Sequence, residues 1–465
     1  MQVNITMKSQ YLFIALFISI VSLAQAPGAV LNRTFIELEK DPQLQHALIG
    51  FYVSDKAGKI VFEKNADIGM APASTQKILT SVSSFELLGK DYQFKTQIAI
   101  DGEISKDGVG GNLYFIGGGD PTLGSTRWAS TRSNIIVQKI RKILADKKIK
   151  QIQGGIFIEE KHFSYPPLPQ GWIWEDIGNY YGAGAWGLNW MENKYAVHLA
   201  SATDIGKPAS IVFTSPLSFS KQITNQIISA AKGTGDNAYL FSAPYSEKIF
   251  ATGTIPAGES NFIIYGAMPE PGKVFLDDIQ VALADIILKR PVVSKGFESA
   301  ISTVIGTVYS PPLDSINYWF LKESVNLFGE ALINNIAFEK GKNASTAAGV
   351  DIVRNFWTKN GLEKSAIKII DGSGLSPANR ITPKALVHVL SFAKGRGWFN
   401  SFYHALPEMN GIKMKSGYIG GVRSYAGYVK SKSGEEYTFA FIINNFDGAA
   451  SSVREKMYKV LNLLK

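Results

Sequence analysis

Apolar residues recur along this chain with two periods, and the dominant period changes twice. Near the start, Leu48–Val53 and Ile60–Glu63 read as strands joined by the polar turn Asp55-Lys56-Ala57-Gly58, with a helix expected around Phe35–Leu44. After Pro72, the apolar residues Ile78, Leu79, Val82, Phe85 and Leu88 fall at helical spacing until Gly89, which predicts an amphipathic helix. From about residue 94 to 290 the runs shorten and become β-like: Phe94–Ile100, Asn112–Ile116, Gly155–Ile158, Tyr195–Leu199, Ile211–Thr214 and Phe262–Tyr265, separated by Gly and Pro clusters. One amphipathic helix, Ser133–Leu144, interrupts them. After about residue 300 helical spacing returns at Ile316–Phe320, Leu327–Phe338 and Ala347–Lys359, and again behind Pro383 through Val387–Phe392. Two strands, Tyr425–Lys430 and Tyr437–Asn444, flank the polar turn Ser431–Glu436, and a last helix carries Val453, Met457, Val460, Leu461 and Leu464 on a core-facing stripe.

A strand–helix portion at one end and a helix–strand portion at the other thus bracket a β-rich middle. That order predicts one α/β (α+β) domain split in sequence by an insertion. The expected division is 27–93 for its first part, 94–295 for the insertion and 296–465 for the second part. Two β-rich domains are expected in the insertion, the smaller near 200–260 nested in the other.

The extreme N-terminus stands apart. Lys8 precedes the apolar run Tyr11–Val21, and small residues follow at Ser22, Ala24 and Ala26, the layout of a secretory signal peptide over residues 1–24 with cleavage after Ala24 or Ala26. The run is short for a membrane span, which needs about 20 residues. Losing the segment would lower the formal charge from +9 to +8, since Lys8 is its one charge. A basic exported surface is compatible with peripheral association with an anionic membrane or wall polymer, whereas the scattered Lys and Arg point to no nucleic acid. The chain has no cysteine, which excludes disulfides, thiolate catalysis and Cys-ligated metals. His46, His162, His198, His388 and His404 show no zinc-ligand spacing, so neither metal nor cofactor is expected.

Three polar clusters carry candidate chemistry: Ser74-Thr75-Gln76-Lys77, Ser324-Val325-Asn326 and Lys415-Ser416-Gly417. In this order, Ser-x-x-Lys, Ser-x-Asn and Lys-Ser/Thr-Gly form an acyl-transfer site in which lysine activates a serine. Each pattern recurs. Ser-x-x-Lys begins at Ser74, Ser218, Ser229, Ser365 and Ser391; Ser-x-Asn also occurs at Ser315-Asn317; Lys-Ser-Gly also occurs at Lys432-Ser433-Gly434. Context selects among them. Ser74 opens a helix, where Lys77 shares its face and free backbone N–H groups await an oxyanion. Ser324 and Asn326 fall at a break between helices. Lys415 and Gly417 share a strand face, and the bare Gly417 is expected to let a substrate backbone approach. The rival Lys432 copy reads as a solvated hairpin turn.

With Ala71-Pro72-Ala73-Ser74-Thr75-Gln76-Lys77, Gly117-Gly118-Gly119-Asp120-Pro121-Thr122-Leu123, Asp371-Gly372-Ser373-Gly374-Leu375-Ser376, Asn379-Arg380 and Thr382-Pro383, nearly the whole mature chain resembles the penicillin-binding protein 4-type D-alanyl-D-alanine carboxypeptidases, serine peptidase family S13. The resemblance implies a penicillin-binding/serine β-lactamase-like transpeptidase domain with inserted β-rich domains, in the periplasm. It implies peptidoglycan stem peptides as substrates, with removal of terminal D-Ala or cleavage of D-Ala cross-links, and β-lactams as covalent inhibitors. By residue matching, Ser74 would be the nucleophile, Lys77 the base, Ser324 a proton relay and Asn326 the group orienting Lys77 and the substrate. Lys415 and Ser416 would hold the terminal carboxylate, and the N–H groups of Ser74 and Tyr418 would form the oxyanion hole. Ser416 stands where threonine is commoner, and the stretch from Pro383 to Lys415 is shorter than in many relatives. A β-lactamase-like hydrolase and a catalytically decayed wall-binding protein remain as alternatives.

Overall fold

The computed structural model describes residues 27–105, 108–219, 221–287 and 303–465. The signal-peptide expectation therefore lies outside the described residues.

Both ends of the chain build one antiparallel sheet of six strands, ordered Glu408–Met409, Ile412–Ile419, Val422–Lys430, Glu436–Asn444, Leu48–Asp55, Ile60–Lys64. Period-2 alternation explains why it is covered on both faces. Phe51, Val53, Phe439, Phe441 and Ile443 point into one core with Leu31 and Phe35 of the helix Pro27–Glu39 and Val453, Met457 and Val460 of the helix Ala450–Leu461. Tyr52, Ala440 and Ile442 point into the other. Register pairs Phe51 with Phe441, and the Phe35 ring stacks 5.4 Å from Phe51. The C-terminal stripe faces this core, as its spacing indicates.

The second core is helical. Lys77–Leu87 lies at its centre, packed with Leu313–Lys322, Asn326–Glu339, Thr346–Lys359 and Pro383–Lys394. Here the expectation of an amphipathic helix needs correcting: residues 77 to 85 are all buried. Three of the hydroxyls among them find internal partners. Ser83 and Ser84 hydroxyls donate to the carbonyls of Leu79 and Thr80, and Thr80 donates to the Gly372 carbonyl. A helix with short hydroxyl side chains can thus be buried all round, which the apolar spacing alone did not show.

Four strands of the middle form a sheet ordered Thr303–Tyr309, Lys95–Ile100, Leu113–Ile116, Ile156–Glu159. The helix Ser133–Asp146 lies between the last two in sequence and buries Ile136, Ile140 and Leu144. The second part was expected to open on helical spacing, so the strand Thr303–Tyr309 is a correction. It pairs antiparallel with Lys95–Ile100 and so closes this sheet from beyond residue 295. A second sheet joins Phe262–Ala267, Lys194–Ala200 and Ser210–Ser215, and between its strands in sequence come Ile223–Asn225, Ile228–Ala230, Asn237–Phe241 and Ile249–Pro256, which pair among themselves. These sheets share one apolar core with the helix Pro271–Ala282.

Candidate active site

Ser74 sits one turn before the buried helix, in the 3-10 turn Ala73–Gln76 rather than in the α-helix itself. The tighter turn still places i and i+3 together. Lys77 Nζ lies 2.9 Å from Ser74 Oγ. Ala73 adopts φ 46, a left-handed conformation costly for a residue with a Cβ, and Ser324 adopts φ 58. Both serines of the site are thus presented by strained backbone.

Lys77 is fully buried, and its amine has two further neighbours: Asn326 Oδ1 at 2.6 Å and the Ser373 carbonyl at 2.8 Å. Asn326 Nδ2 donates to the Tyr181 carbonyl at 2.7 Å, which fixes the amide so that its oxygen faces the lysine. These two groups can only accept. A neutral amine has two N–H donors and one lone pair. With both donors taken, the lone pair faces Ser74 Oγ. Burial, and then the neighbouring Lys415 charge, push the Lys77 pKa well below its ordinary value, while Asp371 and Glu330 pull the other way.

The Asp371–Ser376 loop is the part of the site that motif spacing did not reveal. Asp371 Oδ1 accepts from Gly374 N, Gln76 Nε2 and Asn379 Nδ2; its Oδ2 accepts from Ser376 N and Trp172 Nε1. Glu330, from the helix Asn326–Glu339, accepts from Gly372 N and Ser373 N, and burial followed by the Asp371 charge pushes it up to about 8. The loop is thereby held against the buried helix with Ser373 O aimed at Lys77. A lone acid inside the apolar run from Leu327 to Ile336 was the available signal for Glu330.

Lys415 lies in the strand Ile412–Ile419, is 2 % exposed, and donates to the Ser416 carbonyl at 3.0 Å. Burial, then the Arg423 guanidinium, lower its pKa to about 7. Gly417 has a different role from the one expected. A side chain there would strike Ser424 Oγ, Pro72 O at 2.6 Å and Ser74 N at 2.8 Å. The bare position admits the protein's own Pro72–Ser74 turn, not a substrate. It also brings Ser74 N beside the Gly417–Tyr418 backbone. Ser424 Oγ donates to Pro72 O at 2.6 Å and locks the contact.

A cleft of about 600 Å³ joins Ser74, Ser324, Asn326 and Tyr418. Its far wall is acidic and aromatic: Glu175, Asp176, Tyr180, Tyr181 and Tyr239. Burial, then Glu175, raises Asp176 to about 6. Rival copies of the motifs lie elsewhere. Ser315 accepts from Trp128 Nε1, Ser391 lies inside the helix Pro383–Lys394, and Lys432-Ser433-Gly434 forms the turn between Val422–Lys430 and Glu436–Asn444, with Gly434 at φ 90.

The D-alanyl-D-alanine carboxypeptidase of Actinomadura sp. (strain R39) is 24% identical over 464 residues, covering 92% of this chain and 84% of that one. The crystal structure of penicillin binding protein 4 from Haemophilus influenzae superposes with a TM-score of 0.78 at 21% identity, covering 94% of this chain and 97% of that one. Its complex with a β-lactam superposes at 0.71, with 20% identity and the same coverage. The superpositions establish a penicillin-binding, transpeptidase-like fold with inserted β-rich regions. Residues 31–412 match the model of the D-Ala-D-Ala carboxypeptidase 3 (S13) family, and the chain therefore belongs to that family of serine-type DD-peptidases.

Proposed function

We propose that the chain is an exported acyl-serine DD-peptidase in which Ser74 is the nucleophile and Lys77 its general base. One observation carries this assignment: Lys77 Nζ stands 2.9 Å from Ser74 Oγ with both of its remaining directions filled by acceptors. Ser74 Oγ attacks the carbonyl carbon of the penultimate D-Ala as its proton passes to Lys77. The oxyanion is received by the N–H groups of Ser74 and Tyr418, a pairing supported by the contact of Gly417 with Ser74 N. Lys415 and Ser416 hold the terminal carboxylate. The C–N bond breaks, the departing amine takes a proton through Ser324, and water then releases the acyl group from Ser74.

Both terminal D-Ala removal and cleavage of a D-Ala cross-link follow from the same steps, with only the leaving amine changed. A β-lactam would acylate Ser74 without releasing a leaving group, since its ring amide stays tethered. The penicillin-binding relative crystallised with a β-lactam supports this part of the proposal. Export rests on the pattern of residues 1–24, and the periplasm as its destination on that pattern together with the family. The division into 27–93, 94–295 and 296–465 is proposed alongside it; in support, the six-stranded sheet takes its strands from 48–64 and 408–444 alone.

Labelling with a fluorescent penicillin tests the nucleophile: wild type takes up label and Ser74→Ala does not. Label persisting in Ser74→Ala, or absent from wild type, overturns the assignment. Mass analysis of a pentapeptide muropeptide and of a cross-linked dimer after incubation separates the two peptidase activities.

A further inference from the structure

Beyond the acidic wall, the catalytic cleft continues into a second concavity of about 330 Å³, and the two share Tyr180, Tyr181 and Tyr239. Its remaining lining includes Tyr265, Asp236 and Asn237. Tyr180 is 52 % exposed, Tyr239 43 % and Tyr265 41 %. Large aromatic rings left open to solvent in a concavity mark a binding surface more often than a structural one. The rings are arranged as a corner: Tyr180 meets Tyr181 edge-on at 5.4 Å and Tyr265 at 6.2 Å, so their faces point in different directions. Among the described residues the hydroxyls of Tyr180, Tyr239 and Tyr265 have no hydrogen-bond partner. Asp236 Oδ1 accepts from Ala238 N, which leaves its other oxygen open.

We infer that this second concavity binds the amino-sugar glycan from which the stem peptide hangs, and that the inserted region supplies it. This rests on the peptidase assignment above. Ring faces stack on the C–H faces of a pyranose, and a rim of carboxylate, amide and phenol answers its hydroxyl and acetamido groups. The chemistry differs from that of the catalytic cleft. Glu175 and Asp176 there suit a cationic peptide side chain, while Lys194 lies over the Tyr265 ring at 5.7 Å. A neutral polyol, attached to the peptide at a fixed remove, fits a pocket that continues the peptide cleft. The junction is also mechanically sound. Tyr181 contributes to both concavities, and its carbonyl holds Asn326 Nδ2, so a glycan seated there braces the segment that orients the site amide.

The test uses the full chain in a Ser74→Ala background, so that ligands bind without turnover. Dissociation constants are measured for a disaccharide-linked pentapeptide, the same pentapeptide without sugar, and chitotetraose alone. The sugar should tighten peptide binding about tenfold, or ~1.4 kcal/mol. Tyr265→Leu, in the strand Phe262–Ala267, and Asp236→Ala, just before the strand Asn237–Phe241, should each abolish most of that factor and weaken chitotetraose binding in parallel. Two results overturn the proposal: sugars that add nothing to the peptide, or a sugar factor that survives both substitutions. Failure of the peptidase assignment is seen separately, as wild type cleaving neither the pentapeptides nor a cross-linked dimer, because the sugar factor is read by binding alone.

Discussion

In the proposed mechanism Lys77 must be neutral to take a proton, and Lys415 must be charged to hold a carboxylate. Burial lowers both pKa values, so the two requirements oppose each other as pH rises. The competent fraction of Lys77 rises with pH through its lowered pKa. The competent fraction of Lys415 falls as pH rises through about 7. The kcat/KM profile is therefore expected to be bell-shaped, with Lys415 of the free enzyme setting the alkaline limb. A bound carboxylate raises the Lys415 pKa, so the alkaline limb of kcat should lie at higher pH than that of kcat/KM. Lys415→Arg keeps a cation that does not titrate below pH 12. It should remove the alkaline limb whatever it does to the plateau. A limb that stays in place in Lys415→Arg, measured by penicillin acylation across pH 5 to 10, would assign it to another group.

The strand Ile412–Ile419 and the turn Ala73–Gln76 touch through a position with no side chain. A methyl at Gly417 has no room, because two of the three atoms it meets, Pro72 O and Ser74 N, belong to backbone. Gly417→Ala should push the turn away from the strand, costing about 1–3 kcal/mol in stability as overpacking does. Acylation by penicillin should fall by about 100-fold or more, since misplacement of a reacting group by 1 Å is enough for that. Urea unfolding and labelling rates measure the two effects. Wild-type labelling in the variant would show that the turn does not need the space. Contacts of this kind explain what sequence could and could not reveal. The runs at Leu48, Ile60, Tyr195, Phe262 and Tyr437 are strands, because alternation is a local property. The pairing of Leu48–Asp55 with Glu436–Asn444 spans most of the chain and leaves no local trace. The patterns that hold Ser74, Lys77, Ser324 and Asn326 could be read because they are short and ordered. Asp371, Glu330 and the Tyr181 carbonyl could not. Two act through the backbone they hold, and the third is a backbone atom that any residue could supply.

Across the whole molecule, the inserted region is wired into the site rather than hung beside it. Trp172 Nε1 donates to Asp371 Oδ2 at 3.0 Å, Ser376 Oγ donates to Gly171 O at 2.7 Å, and Asn326 Nδ2 donates to Tyr181 O. All three bonds join residues 171–181 to groups that surround Lys77. The Trp172 bond closes the set of five donors on Asp371, the carboxylate on which the Ser373 carbonyl depends for its place. Trp172→Phe keeps the ring bulk and removes the donor. A hydrogen bond to a charged group is worth about 1.5–3 kcal/mol, so global stability should drop by about 2 kcal/mol. Loosening of the loop should also slow acylation about tenfold, equivalent to ~1.4 kcal/mol of barrier. A double-mutant cycle with Asp371→Asn isolates the link, because the asparagine keeps most of the shape while losing the charge. Coupling of about 1–2 kcal/mol between the two positions is expected for groups in one network. Additive effects would mean that the loop holds its shape without the insertion. In that case the inserted region would serve the substrate alone, through the tyrosine corner, and not the geometry of Lys77.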